Sequence, residues 1–416
     1  MKMALVWILL IAAAGAAFAA SVRIERDNRW IVNDKPYFAF GISGAPQADL
    51  KAPDGGDGWK ELASAGINWM RIGGADIAWD DAGVAKYKAI MDAAARVGIF
   101  GQFNLRDLSS LPDDPPLPPP YEGGEEGGRE AKLRQVVTMF KDHPATLAWK
   151  GIDEPAWGKQ PVPPMLRAYK LIKELDPMHP VIVTHAPRNT LRELRAYNPT
   201  CDVTGLDIYP VSVPMGKHGH FPNRQISVVG DYTKWMVELA EGKKPILMIL
   251  QITYSGTTPP KNILVRPTFD QQRYMTYQAI IDGANGIMWF GGYIVLNERD
   301  EKLGFNWTYF DEVLRPLLKE IGPGSELYSV ITATASSNVA LKVEGAEDIE
   351  LLARKVNGNA YILAAKREGP EATVRISGLT GGGEADVMFE NRKVKLVNGV
   401  IEDTFKPNAV HVYRVR

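Results

Sequence analysis

Asp153-Glu154-Pro155 places two carboxylates side by side directly after the apolar run Leu147–Ile152. Adjacent acids at the end of a buried segment can divide acid–base work, one kept ionised and the other protonated. Further polar or aromatic residues close other core-type runs: Arg71, Asn104, His185, Asp207 with Tyr209, Gln251 with Tyr254, and Trp289. No Ser-His-Asp or Cys-His set accompanies them. A carboxylate floor with Trp and Tyr walls suits a sugar, because aromatic faces stack on the apolar C–H side of a pyranose while carboxylates act at its anomeric carbon. Each residue also has a plainer reading. The Asp-Glu-Pro could cap a helix, Arg71 could be a buried ion-pair partner, and His185 could be a hydrogen-bonded strand end. Trp157, Trp289 and Trp307 could be core. His218 and His220 form an H-x-H without an evident third ligand, so no metal and no cofactor is expected.

These residues need a scaffold that brings distant strand ends together. Continuous apolar runs recur at Tyr37–Ile42, Ile67–Ile72, Ile99–Leu105, Leu147–Ile152, Val181–His185, Val203–Ile208, Ile246–Ile252 and Gly286–Phe290. Continuous rather than alternating hydrophobicity marks parallel strands covered on both faces. Helical stripes lie between and after them, such as Leu133, Val136, Val137 and Phe140, or Phe310, Val313, Leu314, Leu317 and Leu318. Eight β-then-α units predict a (β/α)₈ TIM barrel, whose reactive residues sit at the carboxyl ends of the strands. No Gly-rich phosphate loop follows any strand, which argues against a doubly wound open sheet. Ser21–Ile31 and Tyr37–Ile42 read as strands joined through Asn33-Asp34-Lys35-Pro36. After Gly322-Pro323-Gly324 only short strand-like runs and Gly-rich turns remain, predicting a small C-terminal antiparallel β-sandwich that caps the barrel or binds sugar itself. The stretch from Asp107 to Gly128, rich in Pro and Gly, reads as a cleft wall or a surface insertion.

Of 416 residues, 48 are basic and 49 acidic, leaving a net charge of −1 and no basic field for nucleic acid. The single Cys201 excludes an intrachain disulfide and a cysteine-based metal cluster. Met1-Lys2-Met3, an apolar run to Ala14 and Ala17-Phe18-Ala19 have the order of a secretory signal. The expected division is therefore a signal at 1–19, a barrel at 20–324 and a β domain at 325–416. The mature protein would be exported, periplasmic or extracellular, without a stable membrane anchor, and its partner an oligosaccharide or polysaccharide.

Leu147-Ala148-Trp149-Lys150-Gly151-Ile152-Asp153-Glu154-Pro155 resembles the "W…NEP" element of the retaining (β/α)₈ glycoside hydrolases of the clan typified by cellulases and β-galactosidases. Trp69-Met70-Arg71, Leu206-Asp207-Ile208-Tyr209-Pro210 and Gly283–Trp289 fall in the matching order, so the likeness spans the mature chain. It implies Glu154 as general acid/base and Asp153 as the contact to the sugar's 2-substituent. Two positions depart from the pattern. Asp153 stands where the family has Asn, and Gln251 stands where it has the nucleophilic Glu. An amide cannot form the glycosyl ester. Retaining N-acetyl-β-hexosaminidases also carry adjacent acids after strand four. Resemblance to them implies that the substrate's acetamido oxygen attacks, that Asp153 accepts its N–H, and that Tyr209 or Tyr254 donates to its carbonyl. An inverting route with Asp207 as base, a β-glycosidase of another sugar type, and a barrel that only binds glycan remain as alternatives.

Overall fold

The computed structural model describes residues 19–74, 77–112, 128–252, 265–291 and 301–416. The signal segment up to residue 18, the Pro-rich part of the 107–128 stretch and Tyr254 lie outside the described residues. Among the described residues no helix is long and apolar enough to cross a membrane.

Three short strands, β1 (Val22–Ile24), β2 (Trp30–Val32) and β3 (Lys35–Tyr37), open the fold as an antiparallel meander. The expected long strand Ser21–Ile31 is thus two strands, because the chain turns between them with Asn28 in the left-handed region at φ 63°. Eight parallel strands then close a barrel: β4 (Ala39–Ser43), β5 (Trp69–Ile72), β6 (Phe100–Asn104), β7 (Thr146–Asp153), β8 (Val181–His185), β9 (Val203–Asp207), β10 (Ile246–Gln251) and β11 (Gly286–Phe290). Each coincides with one of the eight apolar runs. The circle closes where β11 pairs with both β10 and β4.

Side chains alternate between two environments along the strands, as the two-residue period requires, except at two register irregularities on β7. Ala39, Trp69, Leu147, Ile182, Val203, Leu247, Ile249 and Met288 form one apolar cluster inside the barrel. Trp30 from the meander joins it, packing edge-on against Trp69 at 5.3 Å and plugging the amino-terminal end. The alternate residues Phe40, Met70, Phe103, Trp149, Leu206, Met248 and Trp289 belong to the larger core under the helices. One layer above the inner cluster, towards the carboxyl ends, the inward residues turn polar.

The helices follow familiar start and stop chemistry. The helix Asp81–Val97 begins at Asp80, whose carboxylate accepts from Gly83 N, and ends at Gly98 with φ 76°. The helix Phe269–Ile281 opens with a Thr268–Gln271 capping box. Trp149 on β7 donates its indole N–H to Asp176 Oδ2 at 2.8 Å, and the same carboxylate lies 2.7 Å from His179 Nδ1. That buried contact pins the strand carrying Asp153 to the loop before β8.

One further helix, Glu326–Ile331, follows Gly324, although only strands were expected there; Leu327 and Val330 pack into the barrel's outer core. Eight antiparallel strands then form a single continuous sheet, β12 (Lys342–Glu344), β13 (Ile349–Val356), β14 (Asn359–Lys366), β15 (Ala372–Ser377), β16 (Gly383–Met388), β17 (Arg392–Val397), β18 (Val400–Phe405) and β19 (Val410–Val415), in the order β12-β15-β18-β17-β16-β19-β14-β13. β18 was not foreseen, because Glu402, Asp403 and Thr404 break its apolar run. Ala353 on one edge strand and Ile376 next to the other share one core, so the sheet curls until its two halves face each other. Its outer side joins the barrel core through Tyr361, Leu363 and Val412. Arg273 fastens the contact, binding Glu320 at 2.8 Å and donating to Val410 O at 2.9 Å.

Replacing Trp149 by Phe leaves the Asp176 oxygen one donor short in a buried site. The expected cost is about 1–3 kcal/mol, read as a lower denaturant midpoint with an unchanged slope; an unaltered midpoint would show that the indole contact does not hold β7.

Candidate active site

The polar layer surrounds a cavity of about 290 Å³ at the carboxyl ends of the strands. Inward positions supply it in strand order. Ser43, Arg71 and Gln102 come from β4, β5 and β6, Lys150, Asp153 and Glu154 from β7 and its end, and Thr184 from β8. Asp207 and Tyr209 come from β9 and beyond it, and Phe290 from β11. Leu247, Ile249 and Met288 make an apolar floor. A second cavity of about 220 Å³ lies at the other end of the barrel, between the meander and the β domain, where Asp27 meets Arg29 and Arg354.

Charge is dense in the upper cavity. Asp153 Oδ1 lies 2.9 Å from Lys150 Nζ, and Oδ2 lies 3.8 Å from Arg71 Nη1. Although 58% of the Asp153 side chain faces open cavity, it sits deep in the barrel mouth. Burial there opposes its charge, but Lys150 and Arg71 outweigh burial and hold the carboxyl below its ordinary pKa. Lys150 is 3% exposed. Burial lowers its own pKa against the pull of Asp153, and Nζ also donates to Gly151 O at 3.1 Å.

Glu154 follows in the left-handed region at φ 46°, an uncommon conformation for a residue with a side chain. Its carboxyl shares the cavity with that of Asp207, and the two interact electrostatically. Burial first and the Asp153 charge second raise the Glu154 pKa. The same two kinds of effect, burial and then the charges of Glu154 and Asp153, push Asp207 well above the carboxylate range. The shifts oppose one another: the environment favours the charge on Asp153 and the protonated form at Glu154 and Asp207. Burial, then the charges of Asp207 and Asp153, push the Tyr209 pKa up. The imidazole of His218 stacks on Tyr209 at 4.4 Å and takes the Tyr209 backbone N–H on Nδ1 at 3.1 Å. That bond leaves the ring proton on Nε2, 3.8 Å from Asp207 Oδ2. Burial, then Arg188, pull the His218 pKa down to about 3, so the ring is neutral.

Of the residues singled out in the sequence, Arg71, Asp153, Glu154, Asp207 and Tyr209 line the cavity. Asn104 has inward parity but donates to Gly73 O at 3.3 Å and is not among the lining residues. His185 points outward with Val183, edge-on to Tyr197 at 6.1 Å. Burial, then Lys150, lower its pKa to about 3. Trp289 also points outward, stacking on Phe40, with its indole N–H directed to the amide oxygen of Gln272 at 2.9 Å. Phe290, one residue later, faces the cavity instead. Gln251 is fully buried, accepting from Val211 N and donating to Val211 O, both at 2.8 Å. Its amide ties β10 to the loop after β9. Lys150 and Gln102, polar residues inside apolar runs at inward parity, were the missed members; their type against that background was the available signal. Ser43, Thr184 and Phe290 carried none, and His218 stood out only as half of the H-x-H pair.

No protein-family model matches the chain, and no curated protein matches it in sequence. Solved structures match its architecture along nearly its whole length. A glycoside hydrolase family 5 protein from Bacteroides vulgatus superposes with a TM-score of 0.59 at 13% identity, covering 95% of this chain and 93% of that one. A protein described as a glycoside hydrolase gives 0.55 at 13% identity, covering 95% and 96%. AmyP, solved with maltotriose, gives 0.51 at 10% identity, covering 91% and 97%. At such identities the likeness is one of fold: a parallel eight-stranded barrel followed by a β domain.

Proposed function

We propose that the chain is an exported glycoside hydrolase acting on β-glycosidic bonds, and that it works as a retaining, substrate-assisted N-acetyl-β-hexosaminidase. The observation carrying this reading is the placement of Asp153 against Lys150 and Arg71 in one cavity with Glu154 and Asp207, both of which are shifted towards the protonated form. The glycoside hydrolases among the fold neighbours lend support. The export reading rests on residues 1–19 alone.

In the proposed reaction the acetamido carbonyl oxygen of the bound sugar attacks its own anomeric carbon as the bond to the leaving oxygen breaks. Glu154 gives its proton to that oxygen, and Asp153 accepts the amide N–H and stabilises the oxazolinium charge. Glu154, now ionised, takes a proton from water as the water opens the ring, giving the product with retained configuration. The apolar floor of Leu247, Ile249 and Met288 offers a seat for the acetamido methyl. A cavity near the lower end of the ~300–1,000 Å³ typical of ligand sites suits one sugar ring. A double displacement through β10 lacks a nucleophile, since both amide atoms of Gln251 are engaged by Val211.

A panel of aryl β-glycosides tests the reading. Turnover is expected for sugars bearing a 2-acetamido group and not for their 2-hydroxyl counterparts, with the first-formed product retained and a thiazoline inhibitor binding far more tightly than substrate. Equal turnover of both sets, or an inverted first product by proton NMR, sinks the acetamido mechanism; no turnover at all leaves a glycan-binding barrel.

The pH dependence follows from the two shifts. The Asp153 pKa lies below 3.8 and that of Glu154 above 4.5, so kcat/KM should fall only as pH drops through the lowered value or climbs through the raised one. Lys150→Met removes the charge that holds Asp153 down, and its acidic limb should move to higher pH. An acidic limb that stays in place would show that Lys150 does not control Asp153.

Gln251→Glu should not create a nucleophile. It replaces the N–H₂ donor facing Val211 O with an acceptor, at an expected cost of about 1–3 kcal/mol in a denaturant titration. The folded variant should take no label from a 2-fluoro glycoside by intact mass; a labelled protein would place residue 251 within reach of the sugar.

A further inference from the structure

Trp157 lies three residues beyond Glu154 and is 59% exposed. The guanidinium of Arg188, in the loop after β8, lies over its ring at 5.6 Å from the centroid, within the ~6 Å reach of a cation–π contact. Among the described residues the Arg188 guanidinium makes no salt bridge with a carboxylate, and its close side-chain contact is the ring of Trp157. Its charge nonetheless reaches the site, opposing the rise in the Glu154 pKa and adding to the fall in that of His218. An exposed indole by itself needs no explanation. An indole covered by an uncommitted guanidinium, beside the residue that must protonate the leaving oxygen, makes a platform with both an aromatic face and a charge. Further exposed apolar side chains, Val213, Met215 and Phe290, lie at or beyond the carboxyl ends of neighbouring barrel strands, so this end of the barrel is the one prepared for a larger ligand.

We propose that Trp157 and Arg188 form the subsite for the leaving-group sugar and that this sugar carries a carboxylate, a uronic acid. The leaving oxygen must sit against Glu154, so the next ring extends along the loop that Glu154 begins, and that loop presents Trp157. The indole stacks on the C–H face of the ring, and the planar guanidinium binds the carboxylate through two parallel N–H donors. A neutral sugar would leave Arg188 without its anionic partner. Resting on the acetamido reading above, this subsite makes the substrate class an oligosaccharide in which a 2-acetamido sugar is β-linked to a uronic acid.

Binding separates this proposal from the catalytic one. A hyaluronan tetrasaccharide and its carboxyl-reduced, neutral counterpart are titrated into the protein in the cold, with intrinsic tryptophan fluorescence as the readout. The acidic sugar should bind at least about tenfold more tightly, and its advantage should shrink as salt is raised. Arg188→Met should abolish the preference, Arg188→Lys should restore part of it, and Trp157→Ala should weaken both sugars and remove most of the fluorescence change. Equal affinity of the wild-type protein for the two sugars, a preference that survives Arg188→Met, or no binding of either sugar overturns the subsite. A preference that holds while 2-acetamido aryl glycosides are not turned over keeps the subsite and overturns the hydrolytic mechanism instead.

Discussion

The mouth of the barrel is organised by one electrostatic constraint, the gathering of three carboxyls at one cavity, where the charge of Asp153 raises the pKa of the other two. The charges of Asp153, Glu154 and Asp207 oppose one another there, and the cations around the site do not serve them equally. Lys150 and Arg71 both address Asp153. Among the described residues neither Glu154 nor Asp207 has a Lys or Arg salt bridge, and both are shifted towards the protonated form. The division into one ionised and one protonated function therefore arises from where the cations stand, since the carboxyl groups themselves are chemically alike. Lys150 is central to it. Its ammonium is buried on β7 itself, three residues before Asp153, so the strand that presents the acids also carries their counter-charge.

The rest of the fold protects that arrangement. Trp30 plugs the amino-terminal end of the barrel, and the apolar layer of Trp69, Leu247, Ile249 and Met288 separates it from the charged layer above. The low-dielectric floor strengthens every interaction above it and raises the cost of an unpaired charge. The walls are tied at their own ends. Trp149 anchors β7 through Asp176, and Gln251 anchors the loop after β9 through Val211. Gln251 thus serves the site as a brace: the backbone it holds leads into the Pro210–Pro214 segment directly after Tyr209.

The β domain is joined to the helices by a mixture of apolar and charged contacts. Val412 and Leu363 extend the barrel's outer core. Around them Arg367 binds Asp231 at 2.7 Å, and Glu368 accepts from Ser227 Oγ at 2.6 Å. Both latter partners lie at the start of the helix Val228–Ala240, which follows β9. The domain therefore braces the helix that packs behind the strand carrying Asp207.

Much of this was legible in the amino-acid order. Eight continuous apolar runs announced eight covered parallel strands, because a strand buried on both faces has no polar side to interrupt the pattern. The adjacent acids at the end of the fourth run were visible for the same reason, standing out against apolar neighbours. What the order could not decide was facing. Trp289 and Phe290 are neighbours of similar character, and only closure of the barrel sends the first into the outer core and the second to the cavity. His185 closes an apolar run just as Asp207 does, yet one faces Tyr197 and the other Glu154. A run that is hydrophobic on both sides hides the two-residue period that would tell inside from outside. The pKa of each carboxyl was equally beyond the sequence, since it depends on which distant strand brings its charge alongside. Residue types and their spacing settled the architecture and the pair of acids; the curvature of the closed sheet decided which side chains meet, because contact across a barrel is set by strand register and facing rather than by distance along the chain.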